Sequence, residues 1–79
     1  MPTVLRLDGL RVVIYPNDHA PAHVHVMGDD CEARFTIGEA EVALLENYGF
    51  PARTVARIKA GLAEHHSALL AAWRQIHGD

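Results

Sequence analysis

Apolar and polar residues alternate along the first half of the chain with the period of two that is typical of β-strands. Residues 3–7 carry this alternation, residues 10–15 are a second predicted strand with β-branched residues and an aromatic end, and residues 23–26 and 31–37 alternate again. The dipeptide Asp8-Gly9 separates the first two and favours a tight hairpin, because glycine readily takes a positive φ. Residues 40–46 fit either a strand or a helix, and we favour a short fifth strand.

Apolar residues of the second half recur at the three- and four-residue spacing of an amphipathic helix. This stripe runs from Val55 to Ile76. As one helix, residues 52–77 would be about 39 Å long at about 1.5 Å per residue, whereas a compact chain of this length has a radius of gyration of about 11–12 Å. The segment therefore either projects toward a partner or breaks near residues 61–67, and the sequence leaves both alternatives open.

These elements predict one domain over residues 1–79, with the sheet in 1–46 and the helical part in 51–77. We expect the α+β class: a four- to five-stranded, mainly antiparallel sheet packed against a long C-terminal helix, which is kinked in one of the two alternatives. The core is expected to comprise Leu5, Leu7, Val12, Ile14, Phe35, Ile37, Val55, Ile58, Leu62, Leu69 and Trp73.

The composition describes a globular chain of 79 residues, 49% apolar and 22% charged. No apolar run approaches the ~18–20 residues that a membrane-spanning helix needs, and the pattern of a secretory signal is missing from the start. Cys31 is the one cysteine, so an internal disulfide is excluded. We expect a cytoplasmic protein without membrane association.

Charge is distributed unevenly along the chain, whose net charge is −3. Residues 1–50 carry a net charge of −5 and residues 51–79 one of +2. This balance argues against direct nucleic-acid binding, which normally uses a basic surface. An acidic region around residues 29–46 suits a basic protein partner instead. The candidate partner-binding residues are Asp29, Asp30, Glu32, Glu39 and Glu41.

The segment 17–26 is the richest in candidate chemistry. His23 and His25 lie two apart on a predicted strand and therefore project from the same face. His19 and Asp18 precede them in a loop that Pro21 stiffens. The candidate metal ligands are thus His19, His23, His25 and Asp18, a set suited to a divalent transition metal such as Zn²⁺. Alternatively, His23 and His25 are candidate catalytic residues for metal-free RNA cleavage as general base and acid.

The sequence resembles a family of small bacterial and archaeal proteins. The matching features are the opening Met1-Pro2-Thr3-Val4-Leu5, the histidine loop of residues 17–26, the strand Ala33-Arg34-Phe35 and the final helix with Leu69-Leu70-x-x-Trp73. The family is the domain of unknown function four-one-six-zero, DUF4160. The resemblance implies gene arrangements similar to toxin–antitoxin modules, and it maps the family's signature loop onto the same three histidines.

Two functions are therefore expected. The first is a small regulatory protein-interaction module, resembling a toxin–antitoxin component or an inhibitor carried by a mobile element, that binds a protein partner through its acidic surface. The alternative is a histidine-dependent metal hydrolase or RNase that uses His19, His23 and His25. A homodimer is compatible with either function, and the sequence leaves open whether the protein is an enzyme.

Overall fold

Five strands precede two helices in the computed structural model, which describes residues 3–77. The strands are β1 (Thr3–Leu7), β2 (Leu10–Val13), β3 (His23–Met27), β4 (Glu32–Ile37) and β5 (Val42–Tyr48). The helices are α1 (Ala52–Glu64) and α2 (His66–His77). The strands form one sheet in the order β1-β2-β3-β4-β5 with antiparallel neighbours, so β1 and β5 are its edges. The predicted α+β class is confirmed.

The turns explain where the first strands end. Asp8 and Gly9 close the β1–β2 hairpin with φ of 48° and 85°, the positive values that this tight turn requires. Strand β2 ends at Val13 rather than at the expected residue 15. Tyr15 instead begins a turn, in which the amide of Asp18 donates to the Tyr15 carbonyl at 3.0 Å.

One face of the sheet packs against both helices and forms the main core. Its buried residues are Val12, Ile14, Val24, Val26, Ala33, Phe35, Ile37, Val42, Phe50, Ile58, Leu62 and Leu69. Leu5, Leu7, Val55 and Trp73, which were expected in the core, lie at its margin and are only partly buried. The opposite face is also covered locally, because Val13 and its cross-strand neighbour His25 are buried there.

The helical segment breaks at His65, so the kinked alternative is the one that the structure adopts. His65 has φ −109° and ψ 22°, its amide donates to Leu62 O at 3.1 Å, and its ring Nδ1 lies 3.0 Å from Gly61 O. The His66 ring contacts the carbonyl of Gly38 in the β4–β5 turn. An unbroken helix of about 39 Å would exceed the longest molecular dimension of 34 Å. Neither α1 nor α2 is long and apolar enough to cross a membrane.

Candidate metal centre

The turn after β2 places the carboxylate of Asp18 beside the first residues of β3. Asp18 Oδ2 accepts a hydrogen bond from the amide of Tyr15 at 3.1 Å. This bond orients the Asp18 side chain toward the end of β2. The chain then passes through a cis Ala20-Pro21 peptide bond, and Ala22 O accepts from the amide of Ile37 at 2.8 Å. Both ends of this loop are therefore attached to the sheet, and Asp18 is held beside His23 and His25.

Three potential ligand atoms converge at this point. Asp18 Oδ2 lies 3.0 Å from His25 Nε2 and 3.5 Å from His23 Nε2. All three atoms lie within 4.8 Å of one another. The site is close to the surface but mostly covered, since the side chains of Asp18, His23 and His25 are 15%, 15% and 8% exposed.

The second nitrogen of each imidazole has its own oxygen partner. His23 Nδ1 lies 2.9 Å from the Pro21 carbonyl, which can only accept, so this nitrogen carries the proton. His25 Nδ1 faces Glu32 Oε2 at 3.3 Å. Metal-binding histidines characteristically donate their other N–H to a carbonyl or carboxylate, because this fixes the ring and its tautomer. Both rings thus present Nε2 toward Asp18.

Two of the three separations are close to those of a coordination polyhedron, while the whole group spans up to 4.8 Å. Zinc bonds to nitrogen and carboxylate oxygen are about 2.0–2.2 Å long in a tetrahedral site, which places neighbouring ligand atoms about 3.3–3.5 Å apart. The separations of 3.0 and 3.5 Å from Asp18 Oδ2 bracket that range. The two ring nitrogens of His25 lie within hydrogen-bond distance of Asp18 Oδ2 and Glu32 Oε2.

Each imidazole contacts an aromatic side chain. Tyr15 contacts His25 edge-on, with ring centroids 4.8 Å apart, and the two imidazoles are 5.2 Å apart. Trp73 of α2 lies 5.4 Å from the His23 ring and stacks on His77 at 3.8 Å. The last two turns of α2 therefore reach the candidate site.

The structure separates His19 from the other predicted ligands. His19 is exposed, and within residues 3–77 the grouped ligand atoms belong to Asp18, His23 and His25. The spacing of His23 and His25 on one strand face was a sufficient signal for that pair. The sequence did not predict that two further residues contact this site. Glu32 lies against Nδ1 of His25, and the Trp73 ring lies beside the His23 ring. The cross-strand register that aligns β3 with β4 was needed to find Glu32.

The five predicted partner-binding acids are divided between two turns and the start of β4, so they do not form one surface patch. Asp29 and Asp30 occupy the β3–β4 turn, whereas Glu39 and Glu41 occupy the β4–β5 turn. These turns flank β4, whose six residues span about 20 Å at about 3.3 Å per residue. Glu32 is half-buried and contacts His25 and Arg34.

The fold and the site define a small α+β domain with a compact histidine–aspartate cluster at one end of its sheet. A family model described as a domain of unknown function, DUF4160, matches residues 9–74. The chain belongs to this family. Neither the curated proteins nor the solved structures contain a significant match.

Proposed function

We propose that the protein binds one divalent transition-metal ion through Asp18, His23 and His25 and uses it for hydrolysis. The observation that carries this proposal is the shared direction of the two imidazoles. Both Nε2 atoms approach the same oxygen of Asp18, while both Nδ1 atoms have oxygen partners of their own. Two histidines and one carboxylate are a common ligand set for Zn²⁺ and Fe²⁺.

Such a metal would retain coordination positions for water and substrate, because three ligands converge among residues 3–77. A bound metal lowers the pKa of a coordinated water, which supplies a hydroxide nucleophile. The roles of the chain's own residues follow from their contacts. Glu32 orients His25, Pro21 O orients His23, and the Tyr15 amide orients Asp18.

The same geometry favours the metal over metal-free acid–base catalysis by the two histidines. A general base and a general acid must face the substrate from two positions. Here both Nε2 atoms face one carboxylate, and the side chain of His25 is only 8% exposed. The metal-free RNase therefore stays a prediction with less support than the metal site.

The single tryptophan of the chain provides a direct test of metal binding. Trp73 lies 5.4 Å from His23, so paramagnetic Co²⁺ in the site is expected to quench its fluorescence. Zn²⁺ should displace Co²⁺ and restore the emission, with one equivalent of either metal bound. His23→Ala and His25→Ala should abolish saturable quenching, whereas His19→Ala is the matched control from the same loop and should leave it unchanged.

Retention of one tight metal equivalent by the double variant His23→Ala, His25→Ala would contradict the site. The hydrolytic part is tested separately with the metal-loaded and EDTA-treated protein on single-stranded RNA. We expect cleavage that depends on the metal and is lost in Asp18→Asn. Equal cleavage in EDTA would favour the metal-free mechanism instead.

The role of a regulatory protein-interaction module stays a prediction. Its acidic residues belong to two separate turns, so one partner surface would use Glu39 and Glu41 or Asp29 and Asp30. Co-purification with the product of the neighbouring gene tests it. Charge reversal at one turn should reduce that capture, and the same reversal at the other turn serves as the control.

A further inference from the structure

The exposed large apolar side chains of residues 3–77 are concentrated on one strand. Leu44, Leu45 and Tyr48 are 45%, 55% and 53% exposed, and all three belong to the edge strand β5. An edge strand also presents unpaired backbone N–H and C=O groups along its outer side. This combination of apolar side chains and open hydrogen-bonding groups is typical of a strand that pairs with another strand.

The two edges of the sheet differ in how they are protected. Strand β1 has five residues, exposes the charged side chain of Arg6 and contains an irregularity between Thr3 and Leu5. These features discourage pairing along β1. Strand β5 has seven residues and carries neither lysine, arginine nor proline. Pairing between a β1 edge and a β5 edge would also generate open chains, whereas β5 with β5 gives a closed two-fold pair.

The one charged residue of β5 is paired within the chain. Glu46 Oε1 lies 2.8 Å from Arg34 Nη1, an ion-pair distance. Side-chain hydrogen bonding with Glu46 and the negative charge of that carboxylate raise the pKa of Tyr48 above its ordinary value of 10.0. The Glu46 carboxylate is therefore paired with a guanidinium of the same chain, which reduces its repulsion of the same residue on an identical edge.

We propose that two copies of the chain associate through antiparallel pairing of their β5 strands. Leu45 is the midpoint of Val42–Tyr48, so full-length pairing places each Leu45 beside its counterpart near the two-fold axis. Leu44 lies opposite the buried Phe35, on the side of the sheet that the helices cover. The dimer is a continuous ten-stranded sheet, and its interface contains the exposed leucines of both copies.

The irregularity in β5 is compatible with this arrangement. The register shifts between Arg34 and Phe35, whose partners are Glu46 and Leu44, so Leu45 is the extra residue of a bulge. A bulge increases the local twist, and it is a common device for protecting an edge. At this position it leaves Leu45 55% exposed, so the bulge adds to the apolar surface instead of hiding it.

Sedimentation velocity of the full chain in EDTA tests the proposal without reference to metal binding. We expect a concentration-dependent dimer, with a dissociation constant that rises by at least about tenfold in Leu45→Lys because two ammonium groups then meet at the axis. Ala71→Lys, which adds the same charge to an exposed position of α2, should dimerise like the parent chain. A monomeric parent chain, or an unchanged Leu45→Lys dimer, would overturn the proposal.

Amide hydrogen exchange on the parent chain provides a second test that is independent of whether the variant folds. The β5 amides that are not bonded to β4 should exchange more slowly at concentrations where the dimer forms than at tenfold dilution below them. The amides of β1 should show no such difference and serve as the internal control. Concentration-independent exchange in β5 would place any dimer interface elsewhere and overturn the assignment to this strand.

Discussion

The chemistry of the candidate site depends on how single atoms of a few side chains are oriented. Asp18 Oδ2 accepts a hydrogen bond from the Tyr15 amide and lies 3.0 Å from His25 Nε2 and 3.5 Å from His23 Nε2. Glu32 contacts His25 and also lies 3.9 Å from Arg34 Nε. It therefore connects the candidate site to the neighbouring charged residue of β4. Its proposed role is to position His25 rather than to bind the metal.

Replacement of Glu32 by glutamine tests this positioning role. The amide is a weaker acceptor for the Nδ1–H of His25 than the carboxylate, so His25 should become a poorer ligand. Loss of such an outer partner typically weakens metal binding by about 10- to 100-fold. We expect a rise of that size in the Co²⁺ dissociation constant, measured by Trp73 fluorescence, with the stoichiometry unchanged.

Glu46→Gln is the control, because this carboxylate contacts Arg34 at 2.8 Å but has no contact with His25. It should leave Co²⁺ affinity unchanged. Equal weakening in both variants would indicate a general effect of negative charge on this face, and an unaltered Glu32→Gln would remove the positioning role.

At the scale of elements, the junction between β5 and α1 depends on one glycine. Gly49 has φ of 102°, and a Cβ at this position would lie 3.1 Å from Cys31 Sγ. Next to it, the side chain of Asn47 accepts from the Phe50 amide and donates to the Phe50 carbonyl. These contacts direct Phe50 into the core and set the start of α1.

Gly49→Ala should therefore be more destabilising than Gly9→Ala. Gly9 also has a positive φ, of 85°, but its added Cβ would meet no atom within 4 Å. The backbone cost of about 1–2 kcal/mol applies to both, and only Gly49→Ala adds the contact with Cys31. Urea unfolding of the two variants measures the difference. Equal losses would show that Cys31 moves aside without cost.

The position of α2 also changes the loss of stability that is expected for Trp73→Ala. A fully buried tryptophan costs about 3–5 kcal/mol when truncated to alanine. Trp73 is half-buried at the margin of the core and stacks on His77. The loss for Trp73→Ala is therefore expected at the lower end of that range, and the contact with His23 makes the indole a reporter of the site as well.

At the scale of the whole molecule, a metal would connect the loop after β2 to the third strand. The core is small for a chain of 79 residues, and a ligand that binds only the folded state adds directly to its stability. At a free Zn²⁺ concentration of 100 times the dissociation constant, the free energy of unfolding should rise by about 2.7 kcal/mol. Thermal unfolding with and without Zn²⁺ measures this gain.

His25→Ala should unfold at the same temperature with and without Zn²⁺, whereas His19→Ala should retain the gain of the parent chain. A gain that persists in His25→Ala would place the stabilising metal elsewhere. The dimer proposed through β5 would make the unfolding temperature depend on protein concentration, so all of these measurements are compared at one concentration.

The local geometry of this protein was predictable from its sequence. Alternation and β-branched residues predicted the first four strands, Asp8-Gly9 predicted the hairpin, and the i, i+2 spacing placed His23 and His25 on one face. These features were predictable because strand periodicity and positive φ are properties of neighbouring residues. The fifth strand was favoured over a helix without being decided. The α+β class followed from the order of the elements.

Contacts between residues that are distant in sequence became known from the three-dimensional structure. The β3–β4 register brings Glu32 behind His25, the turn at Tyr15 brings Asp18 over both imidazoles, and the break at His65 lets α2 return so that Trp73 reaches His23. Periodicity carries no information on register or loop closure, because both are set by the packing of whole elements. For the same reason His19, adjacent to Asp18 in sequence, lies outside the cluster.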